Sequence, residues 1–282
     1  MSYKVCSIIA KIITYLFLII IVIISIFPVV FTFSGSFKDT IEVLTSGSLF
    51  PQNPTVKNYI TAWKSIDFFR YTLNSVIISF FSVFGVIIMS SMTAYVLDRK
   101  SNIPGCKFLS GIYVAAIFVA IPIATIYPIF NFIISLSLNR TLLGQILIAA
   151  SGQCTFIFMI QGYLRGVPIE IDSAAKIDGC GFFKTYCIII LPLIKPIIAT
   201  VAVLSFKSVW NSYLLPSVVT MGVDYLKPLT VAIVDLKSSG MQATDTGLML
   251  AGASISIIPM ILVFLIANKQ FLGGLTTGAV KG

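Results

Sequence analysis

Long apolar runs alternate with short polar stretches along the whole chain. No charged residue lies between Lys11 and Lys38, and 12–33 is almost wholly aliphatic and aromatic. About 20 apolar residues suffice to cross a bilayer, so 12–33 predicts a first membrane span. Its apolar core is longer than that of a cleavable signal peptide, which favours an anchor. Similar runs at 71–97, 108–132, 141–164, 196–219 and 246–268 predict five more spans. Pro122 and Pro128 are expected to kink the third, and Lys207 places one charge in the fifth. The predicted fold class is an all-α integral membrane protein, with six transmembrane helices in a single domain over 1–282.

The polar stretches set the topology. Residues 38–70 and 221–245 read as external loops, 98–105 as a short basic turn, and 165–195 as the most polar interior loop. Six spans bring both termini to one face. That face holds Lys4, Lys11, Arg99, Lys100, Lys107, Arg165, Lys176, Lys184, Lys195, Lys269 and Lys281. The other holds Lys38, Lys57, Lys64, Arg70, Arg140, Lys227 and Lys237. Basic residues collect on the cytoplasmic side, so both termini are expected inside the cell.

Composition narrows the chemistry. Only 10% of the 282 residues are charged against 57% hydrophobic, whereas a soluble domain carries about 25% charged residues. Lipid is therefore the main solvent, and the net charge of +9 reads as topology rather than as a nucleic-acid footprint. There is no histidine, hence no commonest general base or zinc ligand. Five cysteines, an odd number, read as reduced thiols, and Cys180 with Cys187 lacks the companions of a metal site.

Enzyme-like strings are equally thin. Ser173–Lys176 fits S-x-x-K but has no partner motif, and Gly179-Cys180-Gly181 lacks the third glycine of a dinucleotide loop. Asn139-Arg140-Thr141 is a sequon in a short loop close to the bilayer. No phosphate-binding loop is present, so any ATP used must be bound by another chain, and no cofactor or metal is implied. A membrane enzyme would need a catalytic constellation that is missing. A secondary transporter or channel would favour inverted repeats or intramembrane acids, and no Asp or Glu falls within a predicted span.

Two places carry candidate function. In 165–195, Glu170 and Asp172 suit a helix N-terminus and Gly179 suits its end. Ile171, Ala174 and Ala175 fall on one face of the short helix between them, small enough for close approach by a partner. A second helix through Phe182, Phe183 and Tyr186 should break at Pro192 and Pro196. On residues alone this is either a docking element or a connector.

The second place is Lys207, eleven residues after Pro196 and so about 16 Å into the fifth span. Trp210 and Asn211 follow at i+3 and i+4, on its face. Together they fit a solute path, with a ring to stack on a sugar and polar groups to bond hydroxyls. Alternatively Lys207 pairs with an acid on a partner chain or snorkels.

Ala174-Ala175, Ile177-Asp178-Gly179, Leu191-Pro192 and Pro196 resemble the signature loop of binding-protein-dependent ABC importer permeases. Asn58-Tyr59, Arg70-Tyr71, Asn74-Ser75, Ser205-Phe206, Trp210-Asn211 and Leu214 extend the resemblance over nearly the whole chain. The ending Thr277–Gly282 resembles the maltose-type, carbohydrate-uptake branch. The resemblance implies the type I importer fold and a permease subunit. Glu170, Asp172, Ser173, Ala174, Ala175, Asp178 and Gly179 would then couple to ATPase chains. It also implies a second homologous permease, two ATPase subunits and an extracellular solute-binding protein that meets 221–245. One departure stands out: Ser173 occupies the place where the family usually has glutamate.

Overall fold

The computed structural model describes the backbone of residues 2–100, 103–118, 122–151, 154–235 and 245–279, and every regular element among them is helical. Three helices are each long and apolar enough to cross a membrane: Ser7–Ser36 (within Ser2–Ser36), Phe68–Arg99 and Thr246–Ala267 (within Thr246–Ala279). Two further candidates are bent pairs. Leu142–Ala150 and Cys154–Leu164 meet at 44°, and Phe182–Leu193 turns by 79° into Lys195–Trp210.

The predicted spans differ from these helices in instructive ways. Residues 108–132 divide between Cys106–Phe118 and Pro122–Ser135, with Pro122 opening the second helix and Pro128 inside it; residues 119–121 lie outside the described set. The 196–219 run is a helix only to Trp210, and a new helix begins at Leu214. The expected external loops hold helices too: Thr40–Thr45 and Lys57–Ser65 in the first, and Leu229–Asp235 in the second, whose residues 236–244 lie outside the described set. Their apolar positions are too few and too short to read as spans, yet Ala62, Leu229 and Val231 are buried and hold these helices against the protein.

The chain forms two compact units. The first comprises 1–68 and 232–258. Within it the Asn58 side-chain amide donates to the carbonyls of Ser36 at 2.9 Å and Lys38 at 2.7 Å. The Tyr59 hydroxyl lies 2.6 Å from Ser36 Oγ and 2.9 Å from Ser254 Oγ. These buried bonds compensate for removing polar groups from water. From Ser7 to Val29 every residue of the first helix is exposed, as a lipid-solvated span can be.

The second unit comprises 69–231 and 259–282. Its core joins Val86, Ala94 and Tyr95 of helix 68–99 to Phe156, Ile160 and Leu164 of helix 154–164. Tyr186, Ile190, Ile194 and Val201, on either side of the 79° bend, complete it. Gly85 lets helix 142–150 approach closely, since a Cβ there would meet Ala150 Cβ at 2.8 Å. The bend itself falls at Ile194, between Pro192 and Pro196, where the ring at each proline removes a helical hydrogen bond.

Candidate functional site

The 165–195 loop folds as a short helix, Glu170–Ile177, with two acids in its first turn and Lys176 in its last. Charges of these signs favour those ends of the helix dipole. The helix stops at a left-handed turn. Gly179 has φ +79°, its amide donates to the Lys176 carbonyl at 3.1 Å, and the Cys180 amide donates to the Ala175 carbonyl at 2.9 Å. That is the Schellman arrangement, which satisfies carbonyls otherwise left bare at a helix end. The helix begins later than Pro168, which precedes it and supplies its carbonyl to the Ile171 amide.

Helix 68–99 clasps this loop. The Tyr95 hydroxyl donates to Asp172 Oδ1 at 2.6 Å, and Arg99 Nε faces Asp172 Oδ2 at 3.1 Å as an ion pair without hydrogen-bond geometry. Arg99 also donates to the Val167 carbonyl at 2.7 Å and pairs with Asp98 at 3.3 Å. Tyr95 stacks on Phe182 with centroids 4.7 Å apart, Tyr186 shares a 2.7 Å hydrogen bond with Ser91, and Lys100 sits 5.3 Å over the Phe182 ring.

The loop residues thus divide by role. Asp172 is engaged within its own chain, and Ala175 is buried at 2% exposure beneath the helix. Glu170, Ser173, Ala174, Asp178 and Gly179 are exposed. The predicted face of Ile171, Ala174 and Ala175 therefore splits: Ala175 seats the helix on its own subunit and Ala174 points outward.

A second site lies where helix 195–210 ends. A cavity of about 210 Å³ is bounded by Ser75 and Ser79 of helix 68–99, Gln145, and Ser208, Trp210 and Ser212. Gln145 donates to the Leu226 carbonyl at 3.1 Å, while its own Oε1 is buried with no hydrogen-bond partner among the described residues. An open hollow of about 470 Å³, lined by Thr125, Asn211, Ser212 and Tyr213, shares the break at 211–213 with this cavity. Non-helical backbone at membrane depth is tolerated where it borders such spaces.

Lys207, Trp210 and Asn211 differ in exposure within the chain. Trp210 is buried at 4% exposure, whereas Lys207 and Asn211 are exposed, with the Asn211 amide 3.7 Å from Met260 Sδ. Phe206 stacks on Trp210 with ring centroids 5.5 Å apart. Ser75, Ser79 and Gln145 were not predicted. The signal available for the two serines was their spacing, with Ser82, along one face of an apolar run.

Cys106, Cys154, Cys180 and Cys187 are free thiols. Among the described residues no three His, Cys, Asp or Glu side chains gather to hold a metal.

Residues 105–271 match the model of the binding-protein-dependent transport system inner membrane component. The chain belongs to this family. The permease is 32% identical over 251 residues to the probable starch degradation products transport system permease protein AmyC of Thermoanaerobacterium thermosulfurigenes, covering 88% of each chain. It is 30% identical to the diacetylchitobiose uptake system permease protein NgcG of Streptomyces coelicolor, covering 95% of this chain and 88% of that one. Its fold resembles a chain of a bacterial ABC transporter involved in import of the acidic polysaccharide alginate, with TM-score 0.78 and 23% identity over 93% of the permease and 96% of that chain. The permease is therefore a membrane transport subunit of all-α fold.

Proposed function

We propose that this permease subunit imports a carbohydrate or sugar-like solute as half of a six-span-per-chain permease pair. An extracellular binding protein delivers the solute, and two separate ATPase chains dock on the 165–195 loop. Both termini lie in the cytoplasm. The carbohydrate class rests on relatives named for starch products and diacetylchitobiose uptake.

One observation carries the mechanism. Helix 68–99 is continuous, lines the 210 Å³ cavity with Ser75 and Ser79, and clasps the loop through Tyr95 and Arg99. From Ser79 to Tyr95 the helix rises about 24 Å. ATP-driven movement of the docked loop therefore reaches the cavity through one rigid element, as a two-state rocking transition requires. Within the cavity, Trp210 offers a stacking face and Ser75, Ser79, Ser208 and Ser212 line the space with hydroxyls, groups that a sugar ring and its hydroxyls match. Lys207, exposed one turn before Trp210, is the counter-charge this reading assigns to an acidic sugar.

The decisive experiment joins identification to transport. The cognate binding protein is purified and its retained ligand identified. The full complex is then placed in vesicles and given that ligand, radiolabelled. Uptake is expected only with both binding protein and ATP. Uptake that needs neither would assign the chain to secondary transport or a channel.

A further inference from the structure

Beside the clasp, but not part of it, lies a crevice of about 340 Å³ bounded by Asp98, Cys106, Lys107, Ser110, Gln161 and Arg165. Three helix ends form it: the C-termini of 68–99 and 154–164 and the N-terminus of 106–118. Lys107 and Arg165 are exposed at its rim, and neither is engaged in an ion pair or hydrogen bond with the described residues. Gln161 is 7% exposed, lines the crevice and likewise has no hydrogen-bond partner among them. Its body is packed within the protein while its amide faces the crevice, open to a ligand.

The N-terminal end of helix 106–118, two rim cations and an amide facing the space suit an anion with several acceptor oxygens, the cations outweighing the two helix C-termini that also border it. Apolar Phe108 and Leu109, both exposed, continue the surface from the crevice along helix 106–118, as acyl chains would require. Asp98 is the one carboxylate facing the space, and Arg99 holds it at 3.3 Å. The two rim cations outnumber it.

We infer that this crevice binds the phosphate of an anionic glycerophospholipid headgroup from the cytoplasmic leaflet. Basic pockets at the cytoplasmic ends of transmembrane helices suit such headgroups. The leaflet rests on the topology proposed above; the anion chemistry does not.

Native mass spectrometry of the assembled importer tests it, with phosphatidylglycerol, phosphatidylcholine and inorganic phosphate as probes. The wild-type complex should retain phosphatidylglycerol over phosphatidylcholine. Replacing both cations (Lys107→Gln with Arg165→Gln) should weaken retention by roughly tenfold to thirtyfold. Gln161→Leu, which keeps the packing volume, should weaken it as well. Asp98→Asn should strengthen it, an outcome that mere structural damage does not produce.

Unchanged retention in an assembled K107Q/R165Q complex would overturn the site. Competition by inorganic phosphate, with phosphatidylglycerol held no better than phosphatidylcholine, would assign the crevice to a free anion and overturn the lipid. Failure of the permease reading shows separately, as wild-type chains that never assemble with ATPase subunits.

Discussion

At Gly179 the backbone leaves the coupling helix with φ +79°, and a Cβ added there would meet nothing within 4 Å. The demand on this residue is conformational, not steric. Gly179→Val should therefore strain the turn by about 1–2 kcal/mol or more, leaving the subunit in the membrane but uncoupling ATP hydrolysis from uptake. Gly179→Asn should retain most coupling, because asparagine tolerates the left-handed region. Equal behaviour of the two variants would remove the backbone explanation. Ala174 and Ala175 call for different treatment. Arginine at the buried Ala175 would disrupt the subunit itself, so Ala174→Arg, on the exposed side, is the sharper test of ATPase docking. It should lower ATPase co-purification by about tenfold or more while the permease pair still forms. Lys207 is exposed on its own chain and, if it faces the solute, Lys207→Met should abolish uptake with basal ATPase activity intact. Loss of assembly instead would identify an ion pair with the partner permease.

Among the elements, helix 68–99 grips the loop through Tyr95 and Arg99. Tyr95, Arg99 and Asp172 are mostly shielded from water, so each is expensive to leave without its partner. Tyr95→Phe and Asp172→Asn each remove the charged hydrogen bond, and their combined effect should fall short of the sum by about 1–2 kcal/mol. The measurement is a double-mutant cycle on thermal stability, run beside the ratio of ATP hydrolysed to solute imported. Additive losses would show that the two helices are not coupled through this contact. The clasp also gives a physical setting for the serine at 173. Asp172 is held by helix 68–99, and Glu170 is left as the exposed acid of the first turn. Glu170→Gln should consequently weaken docking more than Ser173→Ala, as read by ATPase co-purification.

For the whole molecule, the proposed topology places the two polar faces in different compartments. Gly47 has open space around its Cβ and Ile103 is exposed in the basic turn. In a variant without native cysteines, Gly47→Cys should react with an impermeant maleimide in intact cells, and Ile103→Cys only after permeabilisation. The reverse pattern would invert the topology.

What the sequence determined by itself is the class of solvent and the class of protein. Apolar runs long enough to cross a bilayer, few charges, and Ala174-Ala175 with Ile177-Asp178-Gly179 already led to a helical membrane permease. The short coupling helix and its glycine stop were legible for a local reason: capping and left-handed turns depend on residues a few positions apart. Contacts between distant segments were not legible. Apolar run length measures transfer into lipid and is blind to breaks inside a run, so the gap at 211–213 was hidden in 196–219. Helical spacing placed Lys207, Trp210 and Asn211 together, but it could not show that Trp210 is buried, stacked on Phe206, while Lys207 and Asn211 are exposed. Asp172 looked free to meet a partner until the fold brought Tyr95 and Arg99 to it across 77 and 73 residues of chain. Which polar residue faces a partner and which is held within the subunit is decided by long-range packing, and only the tertiary structure decides it.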